Sequence, residues 1–219
     1  MKIIELKETI TASNDRDAAV LRAVLMEKGT LLINLMASPG AGKTTLLERT
    51  IRDLKDEMNI AVMEADVDSD VDAVRIEKIG AKAVQAHTDG MCHMDAGMTR
   101  RALEGLGDEP FDLVVLENVG NLICPAEFDT GAGKCVMLLS VPEGDDKPLK
   151  YPLMFTVSDV LIITKTDVAP YFDFDFDACI ARANKLNPNI TNFKVSAKTG
   201  DGFEEWESWL TEQVQNWKN

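Results

Sequence analysis

No stretch of this chain is apolar for long enough to cross a bilayer, which takes about 20 consecutive apolar residues. The start, Met1-Lys2-Ile3-Ile4-Glu5, lacks the charged-then-apolar layout of a secretory signal. Cysteine is scarce. The 4 thiols include no close pair, which argues against a disulfide framework and for a reducing compartment. Positive charge is short as well: 23 Lys and Arg stand against 37 Asp and Glu, a net charge of −14. Such a chain repels nucleic acid and anionic membrane surfaces, so neither is expected as a partner. A nucleotide is not excluded, because it needs only a local nest of donors. No repeat, low-complexity linker or domain break interrupts the sequence. A cytoplasmic protein is expected, with one domain over residues 1–219 and a helical extension over 1–30.

What is present is an alternation. The composition, 45% hydrophobic and 27% charged, suits an α/β domain with a full core. Asn14 or Ser13 can cap a first helix that runs to about Lys28. Apolar strand runs follow at Leu31–Met36, Ile60–Met63, Ala81–Gln85, Leu113–Leu116, Cys135–Val141, Val160–Thr164 and Asn192–Val195. Helical patterns fall at Thr44–Met58, Val71–Ile79, Met98–Leu106, Leu149–Val157, Asp177–Leu186 and Phe203–Trp217. Runs that are apolar on both faces and separated by helices predict a largely parallel seven-stranded sheet covered on both sides. The stripe Phe203, Trp206, Leu210, Val214 is at helical spacing and is expected to be core packing of the last helix.

Directly behind the first strand stands Ala37-Ser38-Pro39-Gly40-Ala41-Gly42-Lys43-Thr44. Strand, glycine-rich turn, Lys-Thr and helix make a phosphate-binding loop, and with it a P-loop NTPase fold. The backbone N–H groups of residues 38–45, Thr45 included, converge on phosphate oxygens at a positive helix N-terminus. Lys43 is expected to reach the outer phosphates and Thr44 to ligate Mg²⁺. Ala37 stands where the usual pattern has glycine, and is tolerable if its φ is negative. Acidic Mg²⁺ partners are expected at strand ends. Glu117 follows one strand and opens Glu117-Asn118-Val119-Gly120, where Gly120 can offer an N–H to the γ-phosphate. Asp66, Asp68, Asp70 and Asp72 follow another and resemble a calcium loop, even to Glu77 in the last ligand position. Val71 stands where that loop needs glycine, so solvated charge, with one or two carboxylates serving Mg²⁺, is the expectation.

Thr164-Lys165-Thr166-Asp167 follows a strand, where GTPases carry Asn-Lys-x-Asp. A carboxylate at Asp167 accepts from guanine N1–H and N2–H₂, while adenine offers it a lone pair, so GTP is the expected nucleotide. The Lys165 stem can lie along the base. Ser196-Ala197-Lys198 matches the third guanine element, whose N–H groups meet the base carbonyl. Thr164 in place of Asn removes an amide that ties these loops together, at roughly 0.5–1.5 kcal/mol.

Gly90-Met91-Cys92-His93-Met94-Asp95 enters a helix, and Cys124 lies just beyond the Glu117 strand. Two thiols and an imidazole are a ligand inventory for Ni²⁺ or Zn²⁺, incomplete unless closed by water or by a second subunit across a twofold axis. Taken alone, such residues are more often an ordinary loop and a packed thiol. Cys135 and Cys179 sit in apolar runs and read as core thiols, and His87 as structural.

Taken together, these residues resemble the nickel-incorporation GTPases of nickel–iron hydrogenase maturation, the HypB family, from Leu31 to Phe203. The specific pieces are Cys92-His93-Met94-Asp95-Ala96, the run Glu117 to Asp129 (Glu-Asn-Val-Gly-Asn-Leu-Ile-Cys-Pro-Ala-Glu-Phe-Asp), and Glu143-Gly144-Asp145-Asp146. The related urease accessory family has Cys-Pro-His where this chain has Cys92-His93. The resemblance implies that Cys92, His93 and Cys124 bind Ni²⁺ or Zn²⁺ at a dimer interface and that GTP favours the homodimer. It implies that hydrolysis accompanies nickel hand-over to the hydrogenase large subunit, with a small zinc-binding partner of the HypA family; no obvious catalytic base such as a well-placed Gln is present, so hydrolysis is expected to be slow unless a partner helps. It gives Asp72 a switch-loop Mg²⁺ role, puts Asp66 at the second strand's end, and makes Lys150 a candidate for reaching the neighbouring subunit's nucleotide. The first 30 residues hold no Cys and no His, so the N-terminal nickel motif and storage tract of many members are not expected. Two other functions compete: a metal-binding regulator or buffer whose oligomeric state GTP sets, and a GTPase serving urease or a cobalamin enzyme.

Overall fold

A computed structural model describes residues 6–66, 71–88 and 90–218, the side chains of residues 6–10, Asp66, Val71 and Asp72 excepted. Seven strands form one parallel sheet: β1 (Leu31–Ala37), β2 (Ile60–Asp66), β3 (Lys82–His87), β4 (Leu113–Glu117), β5 (Lys134–Ser140), β6 (Val160–Thr164) and β7 (Thr191–Lys194). Their order across the sheet is β3-β2-β4-β1-β5-β6-β7, so β1 runs at the centre between β4 and β5. The helices are α1 (Leu6–Lys28), α2 (Lys43–Leu54), α3 (Val71–Lys78), α4 (Ala96–Gly105), α5 (Lys147–Lys150), α6 (Pro152–Val157), α7 (Phe176–Leu186) and α8 (Phe203–Lys218).

Strand alternation decides which helix covers which face. Leu31, Ile33 and Leu35 pack with Leu46, Leu47 and Ile51 of α2, Ile76 of α3, and Phe203, Trp206, Leu210 and Val214 of α8. The stripe on α8 is therefore core, and Trp206 Nε1 donates to Thr50 Oγ1 at 3.0 Å within it. On the other face Leu32, Met63, Val114 and Leu116 meet Leu21 and Leu25 of α1 and Ala102 of α4. Met137, Leu139, Leu161 and Ile163 meet Met154 and Phe155 of α6 and Cys179 and Ala183 of α7.

Three expectations need correction. Asn14 does not cap α1, which begins upstream at Leu6. Buried inside that helix, it accepts from Ala96 N–H at 3.0 Å and donates to the Asp129 carbonyl at 2.8 Å. It thus caps α4 instead. The helix expected over Leu149–Val157 is two, α5 and α6, broken at Tyr151 (φ −129°, ψ 54°), because the ring of Pro152 bars α geometry in the residue before it. Val141, expected in β5, opens a 3₁₀ turn in which Pro142 lacks the N–H a ladder needs.

Candidate nucleotide and metal site

The carboxyl ends of the central strands meet around a cavity of about 540 Å³ lined by Gly40, Gly42, Lys43, Thr44, Glu117 and Gly120, among others. Gly40 and Gly42 take left-handed φ of 75° and 100°, so the chain between β1 and α2 turns its N–H groups inward, as L side chains there would not allow. Ala37 lies in the extended strand, so the departure from glycine there carries no strain. Thr44 Oγ1 donates to Glu117 Oε1 at 3.1 Å, and Lys43 Nζ lies 3.9 Å from the same oxygen. Glu117 is 5% exposed, so these protein groups face its carboxylate where little water reaches. A buried carboxylate oxygen against a hydroxyl, both hard oxygen donors beside a phosphate loop, fits a Mg²⁺ ion. A Cβ on Gly120 would lie 3.0 Å from Pro39 Cγ and 3.1 Å from Pro39 N, so the segment after β4 lies flush on the loop. Asp66 ends β2 and Asp72 lies in the first turn of α3, but their side chains, with Asp68 and Asp70, lie outside the described residues.

The base elements also converge. Asp167 Oδ1 accepts from Ser196 Oγ at 2.8 Å, which joins the β6 and β7 ends, with Ala197 and Lys198 following in the same turn. Lys165 is the one non-glycine among the described residues with positive φ, at 60°. That conformation turns its side chain back over the loop, where Nζ donates to the Gly40 carbonyl at 2.7 Å. Thr164 corrects the expected loss: its buried hydroxyl donates to the Ala41 carbonyl at 2.7 Å, so the base strand stays tied to the phosphate loop.

Some cavity residues escaped the sequence reading. Glu64, Gln85 and Arg75 line the same cavity, and the strand register sets Glu64 between Glu117 and Gln85. A glutamate following Ile60-Ala61-Val62-Met63 in a strand buried on both faces was the available signal.

Of the thiols and imidazole, Cys92 is exposed, Cys124 half-buried and His93 5% exposed. Asn121 Oδ1 accepts from Ile123 N at 2.8 Å and turns the chain into the Cys124 3₁₀ turn. The neighbouring Cys124 side chain, together with burial, pushes the Cys92 thiol up. His93 Nδ1 lies 3.8 Å from Cys92 Sγ, and its ring stacks on Phe128 with centroids 3.9 Å apart. Burial lowers its pKa, which keeps the imidazole neutral, the form that binds metals. Among the described residues no three His, Cys, Asp or Glu are gathered closely enough to hold a metal ion. Stacking on Phe128 keeps the imidazole packed into the protein while Cys92 stays at the surface, so one chain offers the parts without the assembled set.

Several other conspicuous motif residues make local contacts. Asp95 caps α4 through Met98 N at 2.7 Å. Glu143 Oε2 accepts from Ser140 N and Oγ, both at 2.8 Å. Asp145 binds Asp175 N and Arg182, which hold its carboxyl below the usual range. Lys150, at the surface, pairs with Asp146. His87 is exposed at the end of β3. Cys179 is buried, and burial pushes the thiols of Cys135 and Cys179 each up to about 12.

Residues 31–194 match the model of the CobW/HypB/UreG nucleotide-binding domain. The hydrogenase maturation factor HypB of Rhizobium leguminosarum bv. viciae is 46% identical over 209 residues, which cover 95% of this chain and 70% of that protein. The crystal structure of HypB from Helicobacter pylori in complex with nickel superposes with a TM-score of 0.88 at 39% identity, over 93% of this chain and 96% of that one. The HypB structure from Archaeoglobus fulgidus gives 0.86 at 40% identity, over 93% and 99%.

Proposed function

Because the chain belongs to the HypB branch of the CobW/HypB/UreG family, we propose that it is a GTP-hydrolysing metallochaperone that binds nickel and delivers it during hydrogenase maturation. The observation that carries this is a continuity of chain. Glu117, whose carboxylate touches Thr44, begins the segment that reaches Cys124, and the Cys124 side chain neighbours that of Cys92. A change at the phosphates therefore has a short mechanical route to the metal ligands.

In the proposed mechanism the N–H groups of residues 38–45 cradle the phosphates, and Lys43 holds charge that develops on the outer oxygens. Thr44 and Glu117, with Asp66 and Asp72, would hold a Mg²⁺ ion, which neutralises phosphate charge when bound. Gly120 donates its N–H to the γ-phosphate. Asp167 selects guanine, and the Ser196-Ala197-Lys198 turn meets the base carbonyl. Hydrolysis is slow, since the sequence offers no obvious base for the attacking water, such as a well-placed Gln. Cys92, His93 and Cys124 take nickel as cargo, or zinc, and the same residues of a second copy complete the site in a GTP-favoured homodimer. Release goes to the hydrogenase large subunit, with a HypA-family protein assisting. Among the described residues no helix is long and apolar enough to cross a membrane. The nickel complex of the Helicobacter pylori relative favours nickel as cargo.

The deciding experiment is Ni²⁺ affinity by chelator competition, with saturating Mg²⁺ and a non-hydrolysable GTP analogue, then with Mg²⁺ and GDP. A nucleotide-dependent difference that vanishes in Cys92→Ala supports delivery. Equal affinities would defeat gated delivery in favour of a GTPase that acts on its partner. Metal binding with negligible turnover would point to a buffer. Unchanged nickel binding in a Cys92→Ala, Cys124→Ala protein would remove the metal role of these thiols and favour service to another enzyme. Lys43→Ala should abolish turnover while nucleotide-free metal binding persists.

A further inference from the structure

One buried side chain touches both thiol-bearing segments. Asn118 follows Glu117 directly and is 1% exposed. Its Oδ1 accepts from Met94 N–H at 3.2 Å and from its neighbour Val119 N–H at 2.9 Å. Two N–H groups on one oxygen fix the orientation of the amide, and its Nδ2 then donates to Asn34 Oδ1 at 3.0 Å. Asn34 belongs to β1, the strand that leads into the phosphate loop, and Asn118 N–H donates to the Leu35 carbonyl of that strand at 2.9 Å. Asn118 also lines the nucleotide cavity. Met94 is one residue beyond His93, and itself 1% exposed.

We propose that Asn118 is the positioning residue that fixes the Cys92–His93 loop against the Glu117–Cys124 segment, so that a displacement of that segment by nucleotide changes the relation of the two thiols. The polar chain Asn34–Asn118–Met94 is buried, where each missing partner leaves a costly orphan. Its members consequently hold a single arrangement while every bond is made. When the residues around Gly120 shift on the phosphate loop in one nucleotide state, the Asn118–Met94 bond is lost, and the Cys92–His93 loop is released relative to Cys124. This inference rests on the nucleotide-gated delivery proposed above.

The test compares Ni²⁺ affinity at saturating Mg²⁺–GTP analogue and at saturating Mg²⁺–GDP in the full chain and its variants. Wild type is expected to show a ratio of at least about fivefold, the lower end of ordinary coupling. Asn118→Leu keeps the volume and removes the hydrogen bonds, and should bring the ratio within about twofold of unity. Asn118→Asp, whose buried carboxyl is neutral when protonated, supplies both acceptor and donor again and should retain most of the ratio. An undiminished ratio in Asn118→Leu overturns the role of Asn118 and leaves gated delivery standing. A ratio of one in wild type overturns both. If Asn118→Leu does not fold, amide exchange at Met94 in the unmodified protein decides. A rate that changes between the two nucleotide states supports the role, and identical rates overturn it.

Discussion

Thr164 shows how a single side chain can keep one half of a motif's work. An asparagine is expected there, and the shorter hydroxyl still reaches the Ala41 carbonyl at 2.7 Å. Thr164→Val preserves shape and removes the donor, leaving a buried carbonyl unsatisfied. A loss of about 1–3 kcal/mol in nucleotide-free stability is expected, read from urea unfolding. Asp167 is held by Ser196 Oγ at 2.8 Å, which leaves its role in base choice to be tested separately. Asp167→Asn should move preference from GTP toward xanthosine triphosphate, since an amide donates where the carboxylate accepts. Hydrolysis of ATP as readily as GTP by the unmodified protein would contradict the assignment. The sequence could name both residues because they sit at fixed offsets behind a strand. It could not show that Thr164 spends its one donor on the phosphate loop, because those residues are far apart in the chain.

Among the elements, α1 depends on contacts that no local pattern reveals. Asn14 ties it to the first turn of α4 and to the Asp129 carbonyl. Arg22 adds Asp129 Oδ1 at 2.7 Å and the Ala132 carbonyl at 2.8 Å. Asn14→Ala should cost about 1–3 kcal/mol by orphaning the Ala96 N–H, with the loss seen in thermal melting. Asn14 looks like an N-cap in sequence because Asn is common there. It is a cap, but for a distant helix. Between α2 and α8, Glu207 faces Asp53, Glu57 and Arg49. Burial, reinforced by the Asp53 charge, pushes its carboxyl from 4.5 up to about 7. A raised acid pKa favours folding only while the group is protonated. Stability is therefore whole below 4.5 and falls as pH rises through about 7. Glu207→Gln should remove that decline and stabilise the protein at pH 8 by about 1 kcal/mol, a figure discounted for solvent screening. Urea unfolding of both proteins at pH 5 and pH 8 checks the sign.

At the scale of the whole molecule the thiols differ in acidity: Cys135 is only half-buried, against the expectation of a core thiol, yet it is held protonated like the buried Cys179. With pKa values near 12, Cys135 and Cys179 are almost entirely protonated at pH 8, about one thiolate in ten thousand. Iodoacetamide on the native protein should modify Cys92 and Cys124 and spare the other two, with mass spectrometry reading the sites. In denaturant all 4 should react. Bound Ni²⁺ should protect the first pair if those thiols are its ligands. Early labelling of Cys179 would mean that α7 is not packed as described. The core reading of Cys179 was legible in its apolar run, since a thiol there has no exit to water. The relation of Cys92 to Cys124 was legible only as an inventory, because proximity between two loops is a property of the sheet that carries them.

The sequence by itself determined the phosphate loop, the parallel sheet and the covering of both its faces. Each of those follows from local chemistry: glycines that permit left-handed turns, and apolar periods that differ between strand and helix. It also determined the candidate residues at the strand ends, where a parallel sheet exposes its loops. Only the tertiary structure decided that β1 lies beside both β4 and β5, which brings Glu117 to Thr44. Only it decided that Glu64 and Gln85 share the cavity, that Asn118 joins the two thiol segments, and that His93 lies packed under Phe128. These are meetings of residues distant in the chain. Sequence periodicity specifies which face a residue takes, whereas strand order and loop closure specify what that face meets.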